Sequence, residues 1–112
     1  MKDNERLNRL IDVLKTKKKD MWKLVAEELD RPRRARVQVN ISKLDLCFKD
    51  GSTLLVPGKV LGSGNTKKNL HVAAFSYSGS AKKLIESSGG KAISIEELLK
   101  SNEDGKNVII IR

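Results

Sequence analysis

Leu7, Leu10, Ile11 and Leu14 recur at intervals of three and four with charged or polar residues between them, the spacing that puts side chains on one face of an α-helix. This predicts an amphipathic helix from Asn4 onward. Lys15, Lys17, Lys18 and Lys19 close it, as suits the carboxyl end of a helix dipole. Trp22, Val25, Ala26 and Leu29 repeat the spacing and predict a second helix, with Asp20 as its cap and Trp22 in its core face.

From Val37 the period changes. Val37 to Ile41 alternates like a short strand, and Asn40 stands where it would cap a brief helix carrying Ile41, Leu44, Leu46 or Cys47, and Phe48. Asp50-Gly51 marks a turn. Thr53 to Val56 reads as a strand stopped by Pro57-Gly58, Lys59 to Leu61 resumes it, and Asn69 to Phe75 forms the next strand. Ser78 or Ser80 starts a helix with Ala81, Leu84 and Ile85 on one face, ended by Ser88-Gly89-Gly90. Ala92-Ile93 is a short strand. Ser94 and Glu97 form a capping box ahead of Ile95, Leu98 and Leu99. After a turn at Asp104-Gly105, Val108 to Ile111 is expected to close the chain as a buried strand.

The fold class that follows is α/β: an irregular body of short strands and helices over residues 37–112, preceded by a helical, basic pair over residues 1–36. The 112 residues are expected to form one domain.

Charge then narrows the function. With 23 lysines and arginines against 14 carboxylates, the net charge is +9, and such a field attracts polyanions. Nucleic acid is the first candidate partner. A membrane is not expected, since no apolar run approaches a spanning length and the amino terminus shows no apolar signal core. Cys47 is the only cysteine, so no internal disulfide forms, in keeping with a cytoplasmic protein. Trp22, Phe48, Phe75 and Tyr77 are the only aromatics, too few for base stacking to be the main device.

Four of the seven arginines fall within Arg31-Pro32-Arg33-Arg34-Ala35-Arg36. Arginine's planar fork of donors matches phosphate oxygens, and Pro32 biases Arg31 toward extended backbone. The run predicts a stiff, cationic, non-helical connector carrying Arg31, Arg33, Arg34 and Arg36 to phosphate. A second basic region surrounds Gly58 to Lys68. Its glycines let backbone amides, with Lys59, Lys67 and Lys68, approach a phosphate backbone closely. From Gly51 through Ile85 there is no aspartate or glutamate, so nothing in that span opposes a polyanion.

Catalytic readings lack support. The Gly58–Gly64 loop would suit a small nucleotide-dependent enzyme only with Walker spacing, but no Gly-Lys-Ser/Thr is present and a strand-like segment follows. The dinucleotide fingerprint fails where Lys67 occupies the third glycine position. His71 has no ligand or nucleophile at useful spacing, and capping accounts for serines such as Ser78 and Ser80. Glu96 and Glu97 fit a helix first turn. Catalytic, metal and cofactor sites are all expected to be absent.

The stretch Glu27-Glu28-Leu29-Asp30-Arg31-Pro32-Arg33-Arg34-Ala35-Arg36-Val37-Gln38-Val39-Asn40-Ile41-Ser42-Lys43-Leu44 resembles the signature segment of the large-subunit ribosomal protein family called eighteen-e, related to the bacterial protein called fifteen-p. Val56-Pro57-Gly58-Lys59-Val60-Leu61-Gly62-Ser63-Gly64, Val72-Ala73-Ala74-Phe75-Ser76 and Ala81 to Gly90 resemble that family's glycine loop, strand and following helix. The resemblance implies a structural, non-enzymatic component of the large ribosomal subunit, archaeal in its short length, that binds ribosomal RNA beside neighbouring ribosomal proteins and takes no small-molecule substrate. Carried over by position, the RNA-facing residues are Arg31, Arg33, Arg34, Arg36, Lys43, Lys59, Gly62, Ser63 and Gly64, with Lys67 and Lys68 beside them. Val37 replaces the family's usual small residue, and Thr66 follows the loop where an apolar residue is usual. A basic RNA- or protein-interaction module outside the ribosome is the remaining alternative.

Overall fold

In the computed structural model, which describes residues 2–112 with side chains from residue 5, the chain is built on one parallel sheet. Its elements are α1 (Lys2–Lys15), α2 (Asp20–Leu29), β1 (Val37–Asn40), α3 (Ile41–Cys47), β2 (Thr53–Leu61), β3 (His71–Tyr77), α4 (Gly79–Ser87), β4 (Lys91–Ser94), α5 (Ile95–Ser101) and β5 (Val108–Ile110). The α/β class and the leading helical pair are as the hydrophobic periodicity predicts.

Strand order is β1-β2-β3-β4, with β5 also paired to β2. Both β5 and β1 lie along one edge of β2. β5 takes Thr53 to Leu55, and β1 takes Gly58 to Leu61. Pro57 falls at the seam between them, where the register against β3 also shifts between Val56 and Lys59. The expected stop at Pro57-Gly58 is therefore absent and β2 runs through. A proline is tolerated at such an irregularity because no regular ladder bond is asked of it. Gly58 is needed there because a Cβ would run into the carbonyl oxygen of Val37 on β1.

Alternation along the strands feeds two cores, one on each side of the sheet. Leu55 and Ala73 pack with Leu7, Leu10, Ile11, Leu14, Trp22, Val25, Ala26, Leu29, Ile95 and Leu98 from α1, α2 and α5. Leu54, Val56, Val60, Val72 and Ala74 pack with Ile41, Leu44, Ala81 and Ile85 from α3 and α4. Trp22 is fully buried, and its indole N–H donates to the Glu103 carbonyl at 2.7 Å. Tyr77 donates its hydroxyl to the carbonyls of Ile93 (2.6 Å) and Val72 (3.0 Å), and burial pushes its phenol pKa well above the ordinary value. Val108 to Ile110 are half-buried, not buried, and the enclosed residue is Ile111. As an edge strand, β5 has β2 on one side only.

Local chemistry closes two helices as expected. Ser78 accepts from the Ala81 N–H and starts α4, Gly89 ends it with φ +82°, and Ser94 with Glu97 makes a reciprocal capping box on α5. Two caps differ. Lys19, in extended geometry and without a side-chain bond, precedes α2, so Asp20 sits inside the first turn, where the dipole still favours its charge. Asn40 occupies the cap position of α3 but makes no capping bond. The Ser42 N–H there reaches the carbonyl of Ser63 at 3.4 Å instead.

Arg6 fastens the outer helix. Its Nε and Nη2 donate to Glu96 at 2.7 and 2.9 Å, its Nη1 donates to the Phe75 carbonyl at 2.8 Å, and its guanidinium lies 4.2 Å over the Phe75 ring. One side chain thus ties α1 to α5 and β3.

Gly58→Ala is expected to destabilise the protein by about 3 kcal/mol, because the obstacle is paired backbone that cannot move aside. A midpoint of chemical denaturation close to that of the parent would contradict this close approach. The Arg6 clasp adds a pH dependence. Partial burial of Glu96 favours its protonated form, but the hydrogen bonds from Arg6 outweigh this and hold the carboxyl below the ordinary 4.5. With the folded value depressed, the contribution is full above about pH 4.5 and is lost as pH falls through the lower folded value. Both side chains are more than a third exposed (38% and 37%), so Glu96→Gln is expected to cost no more than about 1 kcal/mol at neutral pH. Thermal melts should show that this difference shrinks on acidification.

Candidate nucleic-acid interface

The arginine connector begins where α2 ends. Pro32 adopts φ −52°, ψ 147°, and Arg33 to Ala35 then form one 3-10 turn, closed by Ala35 N–H to the Pro32 carbonyl at 2.8 Å and Arg36 N–H to the Arg33 carbonyl at 3.3 Å. The expectation of a wholly non-helical connector is corrected to this extent. Pro32 has no N–H to give, but it precedes the turn and contributes its carbonyl, which costs nothing.

Two of the four arginines work internally. Arg31 places Nε 3.1 Å and Nη2 3.2 Å from the carboxylate of Glu28. The Glu28 side chain is only 7% exposed and also receives Arg112 Nη1 at 3.3 Å, so a buried carboxylate is paired by two guanidinium groups, as burial requires. Arg36 donates through Nε to the Arg31 carbonyl at 3.1 Å. Arg33 and Arg34 are exposed, and their side chains have no hydrogen bond or ion pair to any described residue of the chain.

β1 extends this surface. Val37 and Val39 belong to the core on the α3 and α4 side, so the alternating positions Gln38 and Asn40 face the other way, and both are exposed. Register sets Lys59 beside Gln38, and Lys59 is the exposed residue within the buried run Val56 to Val60. A polar strip of Gln38, Asn40 and Lys59 therefore continues from the connector along the sheet face that α2 leaves uncovered.

The glycine loop lies at the carboxyl ends of β1, β2 and β3, between the starts of α3 and α4. Gly64 has φ +100°, and a Cβ there would sit 2.7 Å from Ser42. At Gly62 a Cβ would collide with the Ser80 hydroxyl. These glycines thus let the loop pack tightly on two helix starts. Thr66, 6% exposed, anchors the rest. Its hydroxyl donates to Asp45 Oδ1 at 2.6 Å and accepts the Lys68 N–H at 3.1 Å, while its carbonyl accepts from Ser88 Oγ at 2.9 Å. The polar residue found in place of an apolar one therefore makes a built connection to α3 and α4.

Lysines divide as the arginines do. Lys68 Nζ donates to the Asp45 carbonyl at 2.6 Å, and Lys43 Nζ donates to the main-chain oxygen of Arg112 at 3.1 Å. The side chains of Lys59 and Lys67 are exposed and without partners among the described residues. The structure brings Arg31 and Lys43 together through Arg112, whose guanidinium meets Glu28 and whose main-chain oxygen accepts from Lys43, whereas Lys68 is tied to Asp45 of α3 and Gly62, Ser63 and Gly64 mark the sheet's carboxyl edge.

Asp45, Glu28 and Arg112 carry this arrangement and are absent from the sequence-based set. Glu28 and Arg31 have helical i, i+3 spacing, a signal that was available. Asp45 to Thr66 and Arg112 to Glu28 are 21 and 84 positions apart, and no local pattern joins them. His71 is exposed at the start of β3, in register with Lys91. No group of three or more metal-ligating side chains occurs among the described residues.

Comparison with known proteins gives a consistent result. The profile of the family of ribosomal proteins 50S-L15 and 50S-L18e, which also takes in their 60S counterpart, matches residues 5–93. The "Large ribosomal subunit protein eL18" of Methanococcus maripaludis is 50% identical over 91 residues, 81% of this chain and 76% of that protein. The protein of the same name from Sulfurisphaera tokodaii is 46% identical over 97% of this chain and 92% of its own length. That of Archaeoglobus fulgidus is 45% identical over 96% and 95% respectively.

Thr66→Val is the direct check on the loop anchor. It leaves Asp45 and the Lys68 N–H without their partner, and is expected to destabilise the fold by about 1–2 kcal/mol. Amide hydrogen exchange should rise in the Gly62–Leu70 loop; exchange unchanged from the parent would mean that the hydroxyl holds nothing.

Proposed function

We infer that this chain, which belongs to the family of ribosomal proteins 50S-L15 and 50S-L18e, serves as a structural constituent of the large ribosomal subunit and binds its RNA chiefly through phosphates. The observation that carries the RNA-binding reading is the division of labour within the connector. Arg31 and Arg36 are bonded inside the protein, and the turn they stiffen presents the side chains of Arg33 and Arg34 with no partner among the described residues. A guanidinium held on a pre-formed turn loses less freedom on binding than one on a mobile linker, and its fork suits two phosphate oxygens at once. Lys59 and Lys67 add point charges on either side of the sheet's carboxyl edge, and the glycine loop offers main-chain groups at the exposed Ser63 and Gly64.

In this reading Arg31, Lys43 and Lys68 shape the surface and Arg33, Arg34, Lys59 and Lys67 meet the RNA. Recognition is of folded RNA by shape and charge, with few aromatics to stack bases. The protein works in the cytoplasmic ribosome, beside other ribosomal proteins, and is not an enzyme. A nucleotide-dependent activity loses its physical basis because the glycine loop runs on to β3, and its glycines are spent on packing against Ser42 and Ser80. No helix among the described residues is long and apolar enough to cross a membrane.

Arg33→Glu should leave the melting temperature unchanged, since Arg33 has no side-chain partner among the described residues, and should reduce incorporation into the large subunit on sucrose gradients. In vitro, the salt dependence of binding to large-subunit RNA should become shallower by about one in log–log slope for each such arginine replaced. Full incorporation together with an unaltered salt slope would remove Arg33 from the interface.

A further inference from the structure

One groove differs in character from the rest of this basic surface. It runs between α1 and α5 and encloses about 760 Å³, with Leu10, Val13 and Leu99 along it. Val13 is 44% exposed, and it and Leu46 are the only exposed large hydrophobics among the described residues. Its walls are held in place. Arg6 is clamped to Glu96 and stacked on Phe75, and Lys17 meets Glu103 at 3.0 Å. Those ion pairs neutralise both glutamates of α5 and its following turn that line the groove. Of the remaining charged lining residues, Arg9, Lys100 and Glu5 have no ion pair to a described residue, which leaves two cations against one carboxylate.

We propose that this groove is the seat of a neighbouring protein in the large subunit: an amphipathic segment that lays apolar side chains over Val13 and Leu99 and directs a carboxylate to Arg9 and Lys100. The proposal rests on the ribosomal reading above. RNA is a poor occupant, because phosphates gain nothing from an apolar floor and would approach the unpaired Glu5. A protein segment gains from both parts of the site, since burying apolar area drives association and the two cations select its charge. Walls already fixed by ion pairs lower the ordering cost of docking. None of the groove's lining residues belongs to the connector or the glycine loop, so both contacts can be made together.

The test places a photo-reactive amino acid at Val13 in the full chain, assembles it into large subunits, irradiates them, and treats the adduct separately with ribonuclease and protease. The expected adduct survives ribonuclease and yields, by mass spectrometry, a peptide of another ribosomal protein containing apolar residues and at least one aspartate or glutamate. Combining Arg9→Glu with Lys100→Glu should cut its yield about tenfold. An adduct removed by ribonuclease, a peptide from a second copy of this chain, a peptide lacking a carboxylate, or no adduct in assembled subunits would each overturn the proposal. Absence of the chain from large subunits would overturn the functional reading beneath it, a separate result visible on the gradient before irradiation.

Discussion

The nine residues of β2 have to satisfy three strands at once: β3 along one edge, and β5 followed by β1 along the other. That demand explains the local oddities of the chain centre. The strand carries a proline where its two neighbours on one edge change over, and a glycine where β1 comes too close for any side chain. Both cores depend on it, Leu55 serving one and Leu54, Val56 and Val60 the other. Because β1, β2 and β3 all run the same way, their carboxyl ends meet at one edge of the sheet, where open parallel sheets present loops to ligands. The glycine loop occupies that edge, and its position follows from strand direction before any chemistry is considered.

Charge is distributed by a second rule. A chain carrying +9 repels itself unless some cations are matched within it, and several of its carboxylates are placed where a cation must be held still. Glu28 fixes Arg31 and Arg112, Asp45 fixes Lys68 and Thr66, and Glu96 fixes Arg6. Each of these acids joins elements distant in sequence, so each is as much a tether as an electrostatic contact. Cations left over are therefore outward-facing on a rigid frame, which is the condition for binding a polyanion without folding around it.

Much of the fold was legible because its signals are local. Apolar spacing placed α1 and α2, and the Ser94 and Glu97 capping box and the Gly89 terminus are decided within a few residues. Pro57 misled because the local rule is sound for a strand with one regular neighbour and fails at a seam that only tertiary pairing creates. Asn40 misled for a related reason: its short side chain suits the cap, but the carbonyl of Ser63 on the packed loop supplied the partner instead. The basic segments were legible as segments. Which of their side chains turn inward was legible only in part: the spacing of Glu28 and Arg31 is local, but the burial of Glu28 and its second partner Arg112 depend on the far end of the chain.

The two outward surfaces call for different physics, and this bears on how so small a protein serves an assembly. Phosphate contacts are long-ranged, tolerant of position and weakened by salt, so under the proposed function the connector and exposed lysines serve an early, steered encounter with RNA. An apolar groove acts only on contact and requires a shaped partner. Its walls are built from ion pairs, and ion pairs that brace a groove leave its floor free for burial instead of competing for the ligand. The Arg6–Glu96 clasp belongs to both purposes, since it seats α1 on the sheet and finishes one wall of the groove. The outer helix, which otherwise rests on apolar contacts in the core it shares with α2 and α5, is thus kept in place by the same pair that forms one wall of the groove.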